Sequence, residues 1–187
     1  VVSVQHRQIA ATRNSGARAA TGEMLVFVDA DTLINEAVLR RALDTVAAGA
    51  VGGGATVRFD GHIPRYARVL TPCLTAMMRW TRLAAGCFVF CTRSAFDATG
   101  GFDERLFGAE EIALSAALKK MGCFEILRES VLTSGRKLRT YSGFEVLGIL
   151  LRAALSGGNM IKQREQMGLW YAPRREDPDL RQTDRAS

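Results

Sequence analysis

Apolar and polar residues along the chain predict strands that alternate with helices. Short apolar runs predict strands over residues 1–4, 24–28, 55–59, 86–91, 124–127 and 131–132. Apolar residues three and four positions apart predict helices over residues 8–20, 35–48, 69–78, 94–99, 110–121 and 142–155. This alternation is typical of an α/β layered domain.

Polar residues at the predicted helix starts support these boundaries. The side chains of Asn35 and Ser94 are suited to accept hydrogen bonds from the first backbone amides of a helix. Ser142 together with Glu145 fits a capping box. The glycine-rich residues 49–54 predict a break between a helix and the next strand.

The apolar run of residues 24–28 ends in two carboxylates, Asp29 and Asp31. The run shows no alternation of polar and apolar residues, which predicts a parallel strand buried on both faces. Open α/β sheets form their ligand crevices at the carboxyl ends of such strands. Two carboxylates at that point suit a hard divalent cation, which can neutralise a phosphate-bearing substrate. The pattern therefore indicates an enzyme that acts on a phosphorylated or nucleotide-linked compound.

Three further motifs accompany this D-A-D sequence. They are A-T-R-N-S-G-A-R-A-A-T-G-E over residues 11–23, G-G-F-D-E over residues 100–104, and the pair Glu110-Glu111 at a predicted helix start. In this order and spacing, the four motifs resemble the family 2 inverting glycosyltransferases of the GT-A fold, over roughly residues 8–140. The resemblance implies a Rossmann-like mixed sheet flanked by helices, which uses a nucleotide-diphosphate sugar as donor.

The resemblance also implies a role for each acidic residue. Asp31 would bind Mg²⁺ or Mn²⁺, which stabilises the charge on the departing diphosphate, and Asp29 would lie beside it, toward the ribose. Glu111 would be the catalytic base, with Glu110 next to it, although the family carries aspartate at the position of Glu111. The simpler alternatives are that Asp31 caps a turn and that both glutamates favour the positive end of a helix.

The remaining candidate residues would contact the nucleotide or the substrate. Arg13 and Asn14 would help to hold the nucleotide, because a guanidinium suits a diphosphate; a structural ion pair of Arg13 is the alternative. Gly100 and Gly101 would form a turn under the acceptor site, or a plain turn. Arg136 belongs to an S-G-R segment that the resemblance places near the phosphates. Many relatives carry a metal-binding histidine close to this segment, and here none is present, so the third metal contact is open.

The sequence departs from the family pattern at its start. In the family, a βαβ unit that contacts the nucleobase precedes the A-R-N segment, which begins here at Ala11. The sequence therefore predicts an N-terminally truncated fold and leaves the donor base and sugar undetermined. The Q-x-x-R-W signature of processive synthases is missing, which favours a non-processive transferase.

Two alternatives belong to other functional classes. The segment V-F-V-D-A-D-T-L also resembles the first motif of haloacid-dehalogenase-like phosphatases, with Asp29 as nucleophile and Asp31 as general acid. That family requires a lysine followed by an acidic pair, and here Lys119 follows Glu110-Glu111 instead. The second alternative is a non-catalytic, glycosyltransferase-like module that only binds a partner.

Length and composition fit a globular protein with one main domain. The 187 residues are 48% hydrophobic and 24% charged. We expect a domain over residues 1–158 and a polar extension over 159–187, partly disordered because charges alternate with prolines from Pro173 onward. The four cysteines form no C-x-x-C pair, and Cys87 and Cys91 are expected to be small buried residues.

Much of the net charge of +6 lies in one segment, in which only Asp60 opposes five arginines: Arg58, Arg65, Arg68, Arg79 and Arg82. Such a surface is either a solvated basic face or a face toward acidic lipid. The arginines are not interleaved with aromatic residues in the way that a platform for stacking bases would need, which argues against a nucleic-acid partner. No apolar run reaches the ~18 residues of a membrane span. We therefore expect a cytoplasmic protein, associated with the inner face of the membrane, whose acceptor is lipid-linked, a glycan or a small molecule.

Overall fold

The computed structural model describes residues 1–84, 86–156, 159–171, 173 and 175–179. Its strands are β1 (Met24–Val28), β2 (Thr32–Leu33), β3 (Gly52–Phe59), β4 (Phe88–Thr92) and β5 (Phe124–Thr133). Its first helices are α1 (Ile9–Ala19), α2 (Glu36–Ala47), α3 (Arg65–Thr81) and α4 (Arg93–Thr99). The later helices are α5 (Glu110–Leu118), α6 (Arg136–Thr140), α7 (Gly143–Leu155) and α8 (Gly168–Tyr171). Short 3₁₀ turns over Met160–Lys162 and Arg164–Gln166 lie between α7 and α8.

The five strands form one mixed sheet in the order β1-β4-β3-β5-β2. β3 and β5 are parallel, and the other neighbouring pairs are antiparallel. The predicted α/β class with a mixed sheet is confirmed. The two strands predicted over residues 124–127 and 131–132 are one strand, β5. Its register against β3 shifts by two residues, because Ala55 pairs with Leu127 and the next residue, Thr56, pairs with Ser130.

β1 lies at an edge of the sheet within the described residues, so the prediction of a parallel strand buried on both faces is wrong. It pairs antiparallel with β4 only, from Met24 opposite Thr92 to Val28 opposite Phe88. Leu25 is buried, whereas Val26 is 37% exposed. A run of valine, leucine and phenylalanine also suits a strand with one open face, so the run alone could not decide between the two.

The predicted break after α2 is present, since the helix ends at Ala47 and Gly49 has a φ angle of 95°, but it is shorter than predicted because Gly52, Gly53 and Gly54 lie inside β3. A Cβ atom at Gly52 would lie 2.5 Å from the carbonyl oxygen of Phe90, and one at Gly53 would lie 2.5 Å from the ring of Phe90. The neighbouring strand approaches so closely that only glycine fits. The glycines at positions 52 and 53 therefore permit close strand pairing.

Most of the predicted helix starts agree with the structure. Asn35 Oδ1 accepts the backbone N–H of Val38 at 2.9 Å, and Ser142 and Glu145 form the capping box of α7. The prediction for α4 is wrong by two residues, because Thr92 and not Ser94 accepts a backbone N–H at its start. α3 is one helix with Pro72 inside it, and residues 1–4 form no strand.

Two hydrophobic clusters cover the two faces of the sheet. One joins α1, α4 and α5 to the sheet through residues that include Ala10, Phe96, Phe102, Leu114 and Phe124. The other joins α2 to the opposite face and includes Val38, Ala42, Phe88, Phe90 and Leu127. Cys87 and Cys91 are buried as predicted, and burial raises the pKa of the Cys91 thiol to about 12.

The described residues after position 158 contact the domain. Met160 and Met167 are buried, and the Phe107 N–H donates to the carbonyl oxygen of Ile161 at 2.7 Å. Asp177 is also buried, in an ion pair with Arg139. Part of the stretch expected to be disordered, residues 174 and 180–187, lies outside the described residues. Among the described helices, none is long and apolar enough to cross a membrane.

Candidate active site

The carboxylates of Asp29 and Asp31 lie where the chain leaves β1. The N–H of Asp29 donates to the carbonyl oxygen of Cys87, and the N–H of Thr32 donates to that of Asp29, both at 3.0 Å. The hydroxyls of Thr32 in β2 and Thr133 in β5 are 2.8 Å apart. The D-A-D turn is therefore anchored to a strand on each side, with the side chain of Asp31 exposed between them.

Arg13 in α1 connects Asp29 to the acidic pair. Its Nη2 donates to Asp29 Oδ1 at 2.6 Å, and its Nη1 donates to Glu111 Oε1 at 2.8 Å and to Glu110 Oε1 at 3.2 Å. Burial lowers the pKa of the guanidinium, but Glu111 and Asp29 together raise it above its ordinary value. Three sequence motifs thus meet at Arg13, whose side chain is 12% exposed. Arg13 therefore forms the structural ion pairs that were the alternative to a nucleotide contact.

An aromatic cluster packs against Arg13. The guanidinium carbon lies 5.2 Å from the ring centroid of Phe102, within the range of a cation–π contact. The Phe102 ring packs edge-on against Phe27, at 4.9 Å between centroids, and against Phe96, at 5.9 Å. Phe27 precedes the D-A-D turn and Phe102 belongs to the G-G-F-D-E motif, so this cluster fixes both motifs relative to α1.

Asn14 is buried against the G-G-F-D-E motif. Its Oδ1 accepts the N–H of Phe102, and its Nδ2 donates to the carbonyl oxygen of Phe102 and to Glu104 Oε1, each at 2.9 Å. Gly100 and Gly101 have φ angles of 79° and 77°, and a Cβ at Gly101 would lie 2.8 Å from Asn14 Oδ1. Asn14, Gly100 and Gly101 therefore fix the backbone at Phe102, whose ring contacts Arg13.

Glu110 and Glu111 open α5, where the positive end of the helix favours carboxylates. The side chain of Glu110 is only 4% exposed, whereas that of Glu111 is 14% exposed and is the more accessible of the two. Burial, followed by repulsion from Glu111, raises the pKa of Glu110 to about 7, although Arg13 acts in the opposite direction. Glu110 is therefore the less accessible of the two glutamates, and its proton affinity is raised.

The raised pKa of Glu110 predicts a pH-dependent stability. The folded protein keeps a proton on Glu110 up to about pH 7, whereas the unfolded chain releases it near its ordinary pKa of 4.5, so stability falls as the pH rises through this window. Glu110→Gln removes this titration. Between these pH values, its free energy of unfolding should rise relative to the wild type by as much as roughly 3 kcal/mol.

Urea unfolding at several pH values measures this difference. Glu23→Gln, at an exposed position, is the matched control and should track the wild type. A constant difference between Glu110→Gln and the wild type across the window would contradict the prediction.

Lys137 is near enough to the same carboxylates to interact with them electrostatically, although it was not among the residues predicted from the sequence. Burial lowers the pKa of its ammonium group, while Asp31, Asp29 and Glu111 act in the opposite direction. The signal in the sequence was its position, one residue after Arg136 at the start of α6.

Arg136 interacts electrostatically with both Lys137 and Asp177. It lowers the pKa of Lys137 on one side and that of Asp177 on the other, as a minor contribution in each case. Its backbone N–H donates to Ser134 Oγ at 3.3 Å. The structure therefore brings Lys137, more than Arg136, to the acidic cluster.

The oxygen donors at the D-A-D turn fit a hard divalent cation. Asp31 is exposed, and Asp29 is 41% exposed with only its Oδ1 bound to Arg13. Mg²⁺ commonly binds through one or two carboxylates, with water and substrate phosphates completing its shell. In the described part of the chain, no three His, Cys, Asp or Glu side chains are grouped as a metal site. The donor set therefore fits a cation that the substrate helps to hold.

Comparison with known families confirms the resemblance found in the sequence. A family model described as glycosyl transferase family 2 matches residues 1–100, more than half of the 187-residue chain. The match includes Arg13, Asn14 and the D-A-D turn. No curated protein matches the chain in sequence.

Comparison with solved structures supports the fold. A mannosyltransferase from Pyrobaculum calidifontis, PcManGT, solved in complex with GDP-Man and Mn²⁺, is similar at 17% identity with a TM-score of 0.55. The match covers 100% of this chain and 61% of that protein. This chain therefore spans less than two thirds of the structure it resembles.

These findings favour the transferase over the phosphatase alternative. Lys119, the lysine considered for a phosphatase, lies at the opposite end of α5 from Glu110, about 14 Å along the helix. Its ammonium group donates to the carbonyl oxygen of Thr81 at 2.5 Å. It therefore lies away from Asp29.

Proposed function

Because the chain belongs to glycosyltransferase family 2, we propose that it transfers a sugar, with inversion, from a nucleotide-diphosphate sugar to an acceptor hydroxyl. The reaction depends on Mg²⁺ or Mn²⁺ and is non-processive. The observation that carries this proposal is the convergence of Asp29, Glu110 and Glu111 on Arg13, at 2.6–3.2 Å. Three separate motifs thereby meet in one cluster that is rich in carboxylates.

Asp31 and Asp29 are the residues that would hold the metal. Asp31 is the main ligand, because its exposed carboxylate is turned to solvent, while Arg13 holds one oxygen of Asp29. When bound, the cation would neutralise charge on the departing nucleoside diphosphate. Lys137 adds a second positive group next to these aspartates, and we assign it to the phosphates as well.

Glu111 is the proposed catalytic base. It takes the proton of the acceptor hydroxyl while that oxygen bonds to the anomeric carbon, and the bond from this carbon to the diphosphate oxygen breaks. Attack from the face opposite the leaving group inverts the anomeric centre. Arg13 binds Glu111 Oε1, which orients the carboxylate and leaves Oε2 for the acceptor. Arg13 is therefore a positioning residue in this proposal, and Asn14 supports it from behind through Phe102.

The first donors to test are GDP- and UDP-linked sugars, since the similar mannosyltransferase was solved with GDP-Man and Mn²⁺. The acceptor is a lipid-linked, glycan or small-molecule hydroxyl. A non-catalytic binding module is the second candidate, and it predicts no metal-dependent nucleotide affinity.

Calorimetric titration of GDP and UDP, with and without Mn²⁺, tests the proposal. We expect binding that requires the metal, and we expect Asp31→Asn to weaken it at least tenfold, about 1.4 kcal/mol. Asp44→Asn, at an exposed position of α2, is the matched control and should bind like the wild type. Metal-dependent binding that Asp31→Asn abolishes supports the transferase. Absence of binding to both nucleotides would overturn it for this chain and favour the binding module.

A further inference from the structure

An open apolar groove lies between α3 and the α6–α7 segment. Its volume is about 1040 Å³, and its apolar lining includes Val69, Leu70, Phe144 and Leu147. The hydroxyl of Tyr66 donates to backbone carbonyls of residues 138 and 141, which fixes the start of α3 against α6. The groove is therefore a built surface feature beside the helix that carries Lys137.

The apolar surface extends beyond the groove along both helices. On α3, Val69, Met77 and Trp80 are 72%, 51% and 86% exposed. On α7, Phe144 is 88% exposed, and Leu147 and Leu151 are more than half exposed. Helical spacing places Val69, Cys73 and Trp80 in one stripe along α3. The same spacing places Phe144, Leu147 and Leu151 in one stripe along α7. Large exposed apolar patches of this kind mark an interaction surface.

Arginines border this apolar surface. Arg65, Arg68 and Arg79 recur at intervals that place them on one side of α3, next to the apolar stripe, and all are exposed. Arg82 follows at the end of the helix. None of these four guanidinium groups has an ion pair within the described residues. Their charge is therefore available to an anionic partner.

The acidic residues near the groove are already neutralised. Glu145 lines the groove and is paired with Arg175 at 3.1 Å. Arg139 also lines it and holds Asp60 at 3.3 Å and Asp177 at 2.6 Å. The surface as a whole thus combines exposed apolar side chains with unpaired positive charge.

We propose that this face, formed by α3 and α7, docks onto a bilayer surface that contains acidic lipids. Apolar side chains that enter the headgroup boundary, together with arginines that reach the headgroups, are the features of an interfacial helix. An acidic groove on a partner protein would complement the charge of the arginines, but it would leave the exposed side chains of Trp80 and Phe144 in contact with water. Because α6 lines the groove and also carries Lys137, the docked face would adjoin the candidate active site.

Tryptophan fluorescence with lipid vesicles tests this proposal directly. The chain has two tryptophans, so Trp170→Phe leaves Trp80 as the only reporter. With phosphatidylcholine vesicles that also contain phosphatidylserine, we expect a blue shift of the Trp80 emission and quenching by brominated acyl chains. With phosphatidylcholine alone, we expect much weaker binding, and added salt should weaken the binding to the acidic vesicles.

Variants separate the two contributions in vesicle co-sedimentation. Replacing Arg65, Arg68 and Arg79 with glutamine should lower the partition coefficient on acidic vesicles roughly 100-fold. Trp80→Ser and Phe144→Ser should each lower it about tenfold. Arg40→Gln and Leu43→Ser, at exposed positions of α2, are the matched controls and should bind like the wild type.

Three results would overturn the proposal. The first is that the wild type does not bind acidic vesicles. The second is that it binds them with Trp80 still in water, and the third is that the α2 controls lose as much binding as the α3 and α7 variants. Association of the protein with itself that buries Trp80 without any vesicle binding would assign the face to a second copy of the chain instead.

Discussion

Replacing Arg13 with methionine is expected to lower the free energy of unfolding by about 3–5 kcal/mol, the usual cost of removing one partner from a buried ion pair. The guanidinium is the shared donor for Asp29, Glu110 and Glu111, and its side chain is 12% exposed. Methionine would keep most of the packing against Phe102 while removing every donor. The carboxylates would then repel one another in a region that water reaches poorly.

Two further substitutions of the same cluster test this explanation. Arg13→Lys keeps the charge, but one ammonium group cannot reproduce the planar fork that reaches three carboxylates, so an intermediate loss is expected. In the double variant Arg13→Met with Glu110→Gln, one of the repelling charges is gone. Part of the stability should therefore return, with a coupling energy of roughly 0.5–3 kcal/mol.

Urea unfolding at pH 8 gives all of these values, because Glu110 is then ionised in the wild type. Arg40→Met is the control, since Arg40 forms an exposed ion pair with Glu36 on the surface of α2. A loss for Arg13→Met no larger than that for Arg40→Met would show that Arg13 does not organise the cluster.

The elements that could be predicted from sequence are those set by local chemistry. The starts of α2 and α7 depend on side chains within a few residues, Asn35 for one and the Ser142–Glu145 capping box for the other. The structure reproduces both. In contrast, the run 24–28 was correctly recognised as a strand but placed wrongly in the sheet. Its neighbour β4 lies about sixty residues later, and no local pattern encodes the pairing.

The three glycines at positions 52–54 show the same limit. A local interpretation gives a break, because glycine is unfavourable inside a strand. In the structure the Phe90 backbone and ring occupy the space that any side chain would need. A requirement imposed by a distant strand therefore overrides the local preference.

For the candidate site, the motifs could be predicted to meet, but their contacts could not. The order of the D-A-D turn, the G-G-F-D-E motif and the acidic pair indicated one crevice. The sequence left Arg13 between a diphosphate ligand and an ion pair. The geometry shows ion pairs with Asp29 and Glu111, and the diphosphate contact stays a prediction. Lys137 carried no motif of its own, and only the fold of α6 brings it to Asp31.

Replacing Glu111 with glutamine is expected to lower kcat by about 10²–10⁴-fold, the usual contribution of a general base. Glutamine keeps the size of the side chain and can still accept from Arg13, but it cannot take a proton from the acceptor. Since Glu111 does not contact the nucleotide in this proposal, the calorimetric affinity for the nucleotide should stay the same. Release of nucleoside diphosphate measures the rate, with a donor that the binding experiment has identified.

Glu110→Gln is the matched control, because it is the same substitution one residue earlier on the same helix turn. Glu110 is buried and bound to Arg13, so its replacement should change kcat less than tenfold while altering the pH dependence of stability. Glu111→Asp keeps a carboxylate but shortens the side chain by one methylene, and it should fall between the wild type and Glu111→Gln. Equal losses in the two glutamine variants, with both proteins folded, would mean that the pair serves the start of α5 and that the base lies elsewhere. A large loss of kcat in Glu111→Gln alone, with unchanged nucleotide affinity, would assign proton transfer to Glu111 and a positioning role to Glu110. This outcome is expected because only Glu111, the more accessible glutamate, can reach the acceptor.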